Sequence, residues 1–103
     1  MAELPDPPNN VGKSGRAKHP DGTYFDFKVV DEIRLFQSTY PQKVIYLQRL
    51  QFDDQRIELR LGYYVIGKKP KMAGRWVWGQ FATMLPKEDF AKVISLAKEK
   101  SWF

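Results

Sequence analysis

From Tyr24 to Phe36 apolar and polar residues alternate: Phe25, Phe27 and Val29 stand opposite Asp26 and Lys28, and Ile33 and Leu35 continue the parity with Asp31 as the exception. Alternation places successive side chains on opposite faces of an extended chain, so this run predicts a first strand. Val29, Val30, Ile33 and Phe36 also fall at helical spacing, and strand is preferred over helix for so short a run. Gln37 to Pro41 then reads as a turn. Lys43 to Phe52 is rich in β-branched and aromatic types (Val44, Ile45, Tyr46, Leu47, Leu50, Phe52) and predicts a second strand. Asp53, Asp54 and Gln55 make the next connection, because aspartate side chains bond nearby backbone in turns.

A third strand follows, forming a hairpin with the second. Ile57, Leu59, Leu61, Tyr63 and Val65 share the face expected to meet the core, opposite Glu58, Arg60, Gly62, Tyr64 and Ile66. Gly62 interrupts that second face, as a glycine does at a bulge or where another group approaches closely. Trp76 to Phe81 predicts a fourth strand with both tryptophans on one side. Pro86 suits the first position of a helix, and Glu88 and Asp89 suit its positive end. Phe90, Val93, Ile94 and Ala97 form the stripe expected to pack on the sheet, and Lys98 and Lys100 complement the far end. Trp102 and Phe103 are expected either to tuck back against the sheet or to meet a second subunit. Met1 to Asp21 carries four prolines (Pro5, Pro7, Pro8 and Pro20) and hardly any large apolar residue, so it is expected to be a disordered arm. The element order predicts an α+β domain over residues 22–103: a four-stranded antiparallel sheet followed by one C-terminal helix (ββββα), preceded by the disordered arm of residues 1–21.

A chain of 103 residues with 43% hydrophobic residues supports one modest core and no second domain. The absence of cysteine removes disulfides, thiolate metal sites and thiol nucleophiles from consideration. No apolar run approaches the roughly 20 residues needed to span a bilayer, and the N-terminus has no signal pattern. The expectation is a soluble, cytoplasmic or nucleoid-associated protein with no membrane contact. A formal charge of +5 favours an anionic partner.

The charge has a focus. Between Gly67 and Arg75 the chain holds Lys68, Lys69, Lys71 and Arg75 and no acid, with Tyr63 and Tyr64 before and Trp76 and Trp78 after. Cations beside flat rings suit a nucleic-acid strand, the cations pairing with phosphates and the rings stacking on bases. The same composition also fits ordinary core aromatics joined by a solvated hairpin tip. Lys13, Arg16, Lys18 and His19 in the arm are weaker candidates for an anion.

The run Phe27 to Phe36, the loop Lys68-Lys69-Pro70-Lys71-Met72-Ala73-Gly74-Arg75 and the helix entry Leu85-Pro86-Lys87-Glu88-Asp89-Phe90, in that order, resemble the single-stranded-DNA-binding positive-cofactor family of transcriptional coactivators and its small bacterial relatives. The likeness covers about residues 24 to 100. It implies a strongly curved antiparallel sheet backed by the helix, a homodimer formed through the helix, and a groove that holds unpaired DNA by phosphate contacts and base stacking. Because both contacts are indifferent to base identity, the expected function is binding of single-stranded DNA or RNA with little sequence preference, in transcription or DNA maintenance. Carried over by position, Lys68, Lys69, Lys71 and Arg75 match the basic loop, and Arg60 and Tyr64 match the polar and aromatic positions of the third strand. The chain departs from the family where Trp76 to Thr83 inserts a strand between loop and helix. That leaves two arrangements open: tryptophans packed inside the same fold, or a different small ββββα fold.

Two other functions are to be weighed against this one. Asp54, Glu58 and Arg60 are spaced like the metal-binding carboxylates and lysine of restriction-type nucleases, but an arginine holds its proton too tightly to act as a base, and Asp54 also reads as a turn residue. No catalytic residue, metal ligand or cofactor is expected. A protein-interaction domain, with Tyr63, Tyr64, Trp76, Trp78 and Trp102 as anchors inside a lysine rim, fits the composition equally well. The two binding functions differ in whether rings and cations share a surface.

Overall fold

The computed structural model describes residues 4–79 and 82–103. The predicted first, second and third strands are present as β2 (Tyr24–Gln37), β3 (Tyr40–Phe52) and β4 (Ile57–Ile66); the fourth is the short β5 (Trp76–Trp78), and the helix is α1 (Lys87–Glu99). Gln80 and Phe81, the predicted end of the fourth strand, lie outside the described residues.

Among the described residues the sheet has five strands, not four. The additional one, β1 (Ser14–Lys18), lies inside the segment expected to be a disordered arm and pairs antiparallel with β2, Gly15 facing Phe27 and Ala17 facing Phe25. All five strands form one antiparallel sheet in the order β1-β2-β3-β4-β5. The chain reverses between β2 and β3 one step earlier than expected: Gln37 pairs with Tyr40, and Pro41 falls in a register irregularity within β3 instead of in the turn. A proline, having no N–H to donate, is tolerated in a strand at such a place.

A bulge at Val30 decides how the long strand β2 is used. Val29 pairs with Leu50 and Asp31 with Arg49, so two steps along β2 meet one along β3. The parity therefore flips. Phe27 and Val29 point to one face, where they pack with Leu50 and Phe52; Ile33 points to the other, where it packs with Ile45, Leu47 and the helix residues Val93 and Ala97. The continuous parity expected from Phe25 to Leu35 does not hold, and Asp31, the apparent exception, lies on the helix side and meets Lys100 Nζ at 3.1 Å.

The helix covers the face of β2 and β3 through Asp89, Val93 and Ala97, all buried, with Leu85, Leu96 and Trp102 closing around them. Asp89 accepts a hydrogen bond from the Ser38 N–H at 2.8 Å and so ties the first helical turn to the β2–β3 connection. The buried stripe is rotated from the predicted one, leaving Phe90 45% exposed. At the other end Ser101 adopts φ 59° and returns the chain so that Trp102 packs on the core while Phe103 stays exposed.

The helix does not reach β4. Ile57, Leu59 and Leu61, expected to face the core, do lie on the helix side of the sheet but remain 39%, 38% and 37% exposed. The opposite face of β4 is the better covered one. There the Arg60 guanidinium lies 4.9 Å from the Phe27 ring, two strands away, and residues of β1 and β5 line one cavity of about 290 Å³. Those contacts define the sheet as a half-barrel, curled with this face inward.

Candidate nucleic-acid interface

The inner face is organised by a polar chain laid across three strands. Glu32 Oε1 accepts from Gln48 Nε2 at 3.0 Å, and Gln48 Oε1 accepts from Arg60 Nε at 2.9 Å. Glu32 and Gln48 are buried, and desolvation lowers the Arg60 pKa. A buried charge is tolerated only when paired and hydrogen-bonded, and here one amide connects the two opposite charges. The Arg60 guanidinium also stacks over Trp78, at 5.1 Å from the ring centroid.

Beside this chain stand three rings. Tyr64 lies between Tyr46 and Trp78, with centroid separations of 4.9 and 5.0 Å, and Tyr46 and Trp78 themselves meet at 6.2 Å. Tilted and edge-on packing at these distances is favourable for aromatic pairs. Tyr46 is fully buried and its phenol is pushed up to about 12, first by burial and then by the charge of Glu32.

The N-terminal segment crosses this face. Trp76 Nε1 donates to the Pro5 carbonyl at 2.6 Å, Arg34 to the Pro7 carbonyl at 3.4 Å and the Tyr46 hydroxyl to the Pro8 carbonyl at 2.5 Å. Asn10 then gives its backbone N–H to Glu32 Oε2 at 2.8 Å and its side-chain amide to the Tyr64 hydroxyl at 3.2 Å. Of the expected site residues, Arg60 is thus engaged with Gln48 and two rings, and Tyr64 with two rings and Asn10.

The basic loop is a different environment. It is closed at its neck by Gly67 N–H to Arg75 carbonyl (2.8 Å) and Gly74 N–H to Gly67 carbonyl (3.2 Å), with Gly74 at φ 78°. Met72 folds back so closely on Gly67 that any Cβ there would overlap the Met72 backbone. This pins the loop onto the end of β4 and leaves Lys68, Lys69, Lys71 and Arg75 exposed. Among the described residues, none of the four takes part in an ion pair.

Two of these cations share a cavity with rings. Lys68 and Lys69 line an open cavity of about 650 Å³ together with Tyr40, Tyr63, Val65 and Met72. Of the two β4 tyrosines, the one placed beside the lysines is therefore Tyr63, on the outer side of the strand, whereas Tyr64 points inward; Trp78 of β5 also borders the cavity. Tyr63 is held from two sides: Lys43 Nζ lies 4.8 Å from its centroid while donating to the Met84 carbonyl, and Gly79 leaves no room for a Cβ against its ring. Burial lowers the pKa of Lys43. Sequence parity separates Tyr63 from Tyr64, and the expected core role of the Tyr63 face concealed it. Tyr40, expected in a turn, carries no signal that would bring it to this cavity.

The remaining candidates are occupied locally. Arg16 pairs with Asp26 at 2.9 Å on the surface, Arg16 and Lys18 lie over the Tyr24 ring, and His19 packs on Phe25. Asp54 and Glu58 both pair with Arg56, at 3.4 and 2.7 Å, while Arg60 turns to Gln48, so the nuclease-like trio does not converge. Among the described residues there is no cluster of three or more metal-binding side chains, and no helix is long and apolar enough to cross a membrane.

Comparison of the chain with protein-family models, with curated proteins and with solved structures finds no match.

Proposed function

We propose that this chain is a non-enzymatic domain that binds single-stranded DNA or RNA with little sequence preference, as its resemblance to the positive-cofactor family implies, and that it serves transcription or DNA maintenance. One observation carries the proposal: Lys68 and Lys69, both exposed, line the same open cavity as the Tyr40 and Tyr63 rings. A single strand presents repeating phosphates and unpaired bases, and a cation beside an accessible ring meets both. Lys71 and Arg75 extend the positive surface along the loop. Neither phosphate pairing nor ring stacking reads base identity, hence the weak preference. Arg60 and Tyr64 support the site from the inner face by holding β4 and Trp78 in place.

Titration of the protein with a labelled single-stranded oligonucleotide and with its duplex, at low and moderate salt, tests this. The expected result is tighter binding of the single strand and a steep loss of affinity with salt. Equal affinity for duplex, or no binding at low salt, would remove the proposal. A homodimer is part of the same proposal, motivated by the exposed Phe90 and Phe103 on and after the helix; a monomer mass by light scattering at high micromolar concentration would count against it.

A further inference from the structure

The segment Leu4-Pro5-Asp6-Pro7-Pro8-Asn9-Asn10 crosses the inner face without joining the sheet. Its conformation is set by its own residues. Proline fixes φ near the polyproline value, and each residue that precedes a proline is pushed to extended ψ, which here applies to Leu4, Asp6 and Pro7. A polyproline II strand has three residues per turn, so the carbonyls of Pro5 and Pro8 project from the same side. These are the two carbonyls taken by Trp76 Nε1 and the Tyr46 hydroxyl, both rings on the inner face. The intervening Pro7 carbonyl is met by Arg34.

The complementarity is chemical as well as geometric. Prolines have no N–H, so this stretch offers mainly acceptors; Trp76, Tyr46 and Arg34 supply donors. Aromatic surfaces whose ring N–H or O–H groups meet the carbonyls of a preformed extended segment are the recurring way proteins recognise proline-rich ligands. The contacts need only a short extended segment with prolines at this spacing, and nothing in them requires that it be covalently joined to the sheet. The link back to β1 is short, turning at Gly12 with φ 89°.

We propose that the inner face is a docking site for an extended Pro-x-Pro-Pro segment of another protein, occupied in the resting chain by residues 5–8. The site is separate from the cation-lined cavity. Tyr46 and Trp76 face inward, whereas Tyr63 and Val65 face outward, with Trp78 bordering both places, so the two ligands meet opposite faces and the proposal does not rest on nucleic-acid binding. A tethered segment competes at an effective concentration of about millimolar, so the resting chain takes a free ligand weakly.

The test uses the full chain with Pro5, Pro7 and Pro8 replaced by alanine, which releases the tether's hold while keeping its length. The Trp76 indole N–H resonance reports occupancy. In the wild-type chain it should be shifted and protected from solvent exchange; in the triple variant it should lose protection. Adding a peptide of sequence Leu-Pro-Asp-Pro-Pro-Asn-Asn should restore the wild-type resonance saturably, at least roughly tenfold more tightly than the wild-type chain binds the same peptide. Its alanine-for-proline counterpart should not. An indole signal unchanged by the triple replacement, or no restoration by millimolar peptide, would overturn the proposal. Loss of folding in the triple variant would overturn it too, since the segment would then be part of the core and not a replaceable occupant. Concentration-dependent self-association of the wild-type chain with the indole signal unchanged would assign the site to a second copy's own arm instead of to another protein.

Discussion

The six-membered ring of Trp78 lies against Gly62, so close that a Cβ on Gly62 would overlap its ring carbons. Gly62 is buried and pairs across the sheet with Tyr46, while Trp78 pairs with Tyr64, two residues along β4. The missing side chain lets the indole settle between Tyr46, Tyr64 and the Arg60 guanidinium, and so joins the short β5 to the rest of the sheet. Gly62→Ala should displace Trp78 and destabilise the fold by about 1–3 kcal/mol, the usual range for overpacking a filled site. Chemical unfolding followed by tryptophan fluorescence measures it. An unchanged midpoint would mean that the indole is not seated there.

Deleting residues 1–21 should lower stability by roughly 2–4 kcal/mol, because removing β1 uncovers Phe27, whose ring covers Gly15, and part of Phe25. The comparison is with deletion of residues 1–9 alone, which removes the proline carbonyl contacts but leaves β1 paired. The shorter deletion should cost about 1–2 kcal/mol. Equal thermal midpoints for the full chain and the longer deletion would show that β1 contributes nothing.

The strands and helix that were legible in the sequence are those whose own residues carry a long apolar rhythm, namely β2, β3, β4 and α1. β1 was not, because Ser14–Lys18 holds a single small apolar side chain, Ala17, and gains its place by offering Gly15 as a floor for Phe27. The bulge at Val30 was hidden for a related reason: Phe27, Val29 and Ile33 look continuous in parity, and only pairing with β3 shows that one residue is passed over. The proline segment holds the sheet through backbone carbonyls, which hydropathy does not register. The basic loop was plain from composition alone. Its neighbour Tyr40 is distant in sequence, and the choice between Tyr63 and Tyr64 depended on which face of β4 turns into the curl of the sheet. Arg60 is placed at the nucleic-acid site only by the family resemblance, and its hydrogen bond to Gln48 was not legible because it depends on Gln48 and Glu32 lying in line with it across the sheet.

Tyr46 gives the fold a distinctive alkaline limit. Its phenol ionises near 10 in the unfolded chain and at about 12 in the folded one, so between those values unfolding releases a proton that folding retains. The stabilisation is fully present below pH 10 and is lost as pH rises through about 12. Lys43 works in the opposite sense, since burial lowers its pKa, but it is common to the wild-type chain and to Tyr46→Phe. The difference between the two proteins therefore isolates the phenol. Urea midpoints measured from pH 9 to 12 should fall more steeply for the wild type, and ultraviolet titration should lose its highest phenol transition in Tyr46→Phe.

Tyr40 sits at the start of β3, on the wall of the cation-lined cavity and away from the buried clusters. Tyr40→Ala should weaken single-stranded oligonucleotide binding by about 1–3 kcal/mol while leaving its salt dependence unchanged, since stacking releases few ions. Fluorescence anisotropy at several salt concentrations checks both quantities. A flattened salt dependence in this variant would mean that Tyr40 acts on the charge of the loop and not by stacking.

The most direct measurement is the slope of log affinity against log salt for a single-stranded oligonucleotide, taken for the wild-type chain and for Lys68→Ala/Lys69→Ala. Each phosphate contact to a single strand contributes about 0.7 to that slope, so loss of both lysines should flatten it by about 1.4 with the unfolding midpoint unchanged. Identical slopes for the two proteins would contradict the assignment of the loop as the phosphate-binding element.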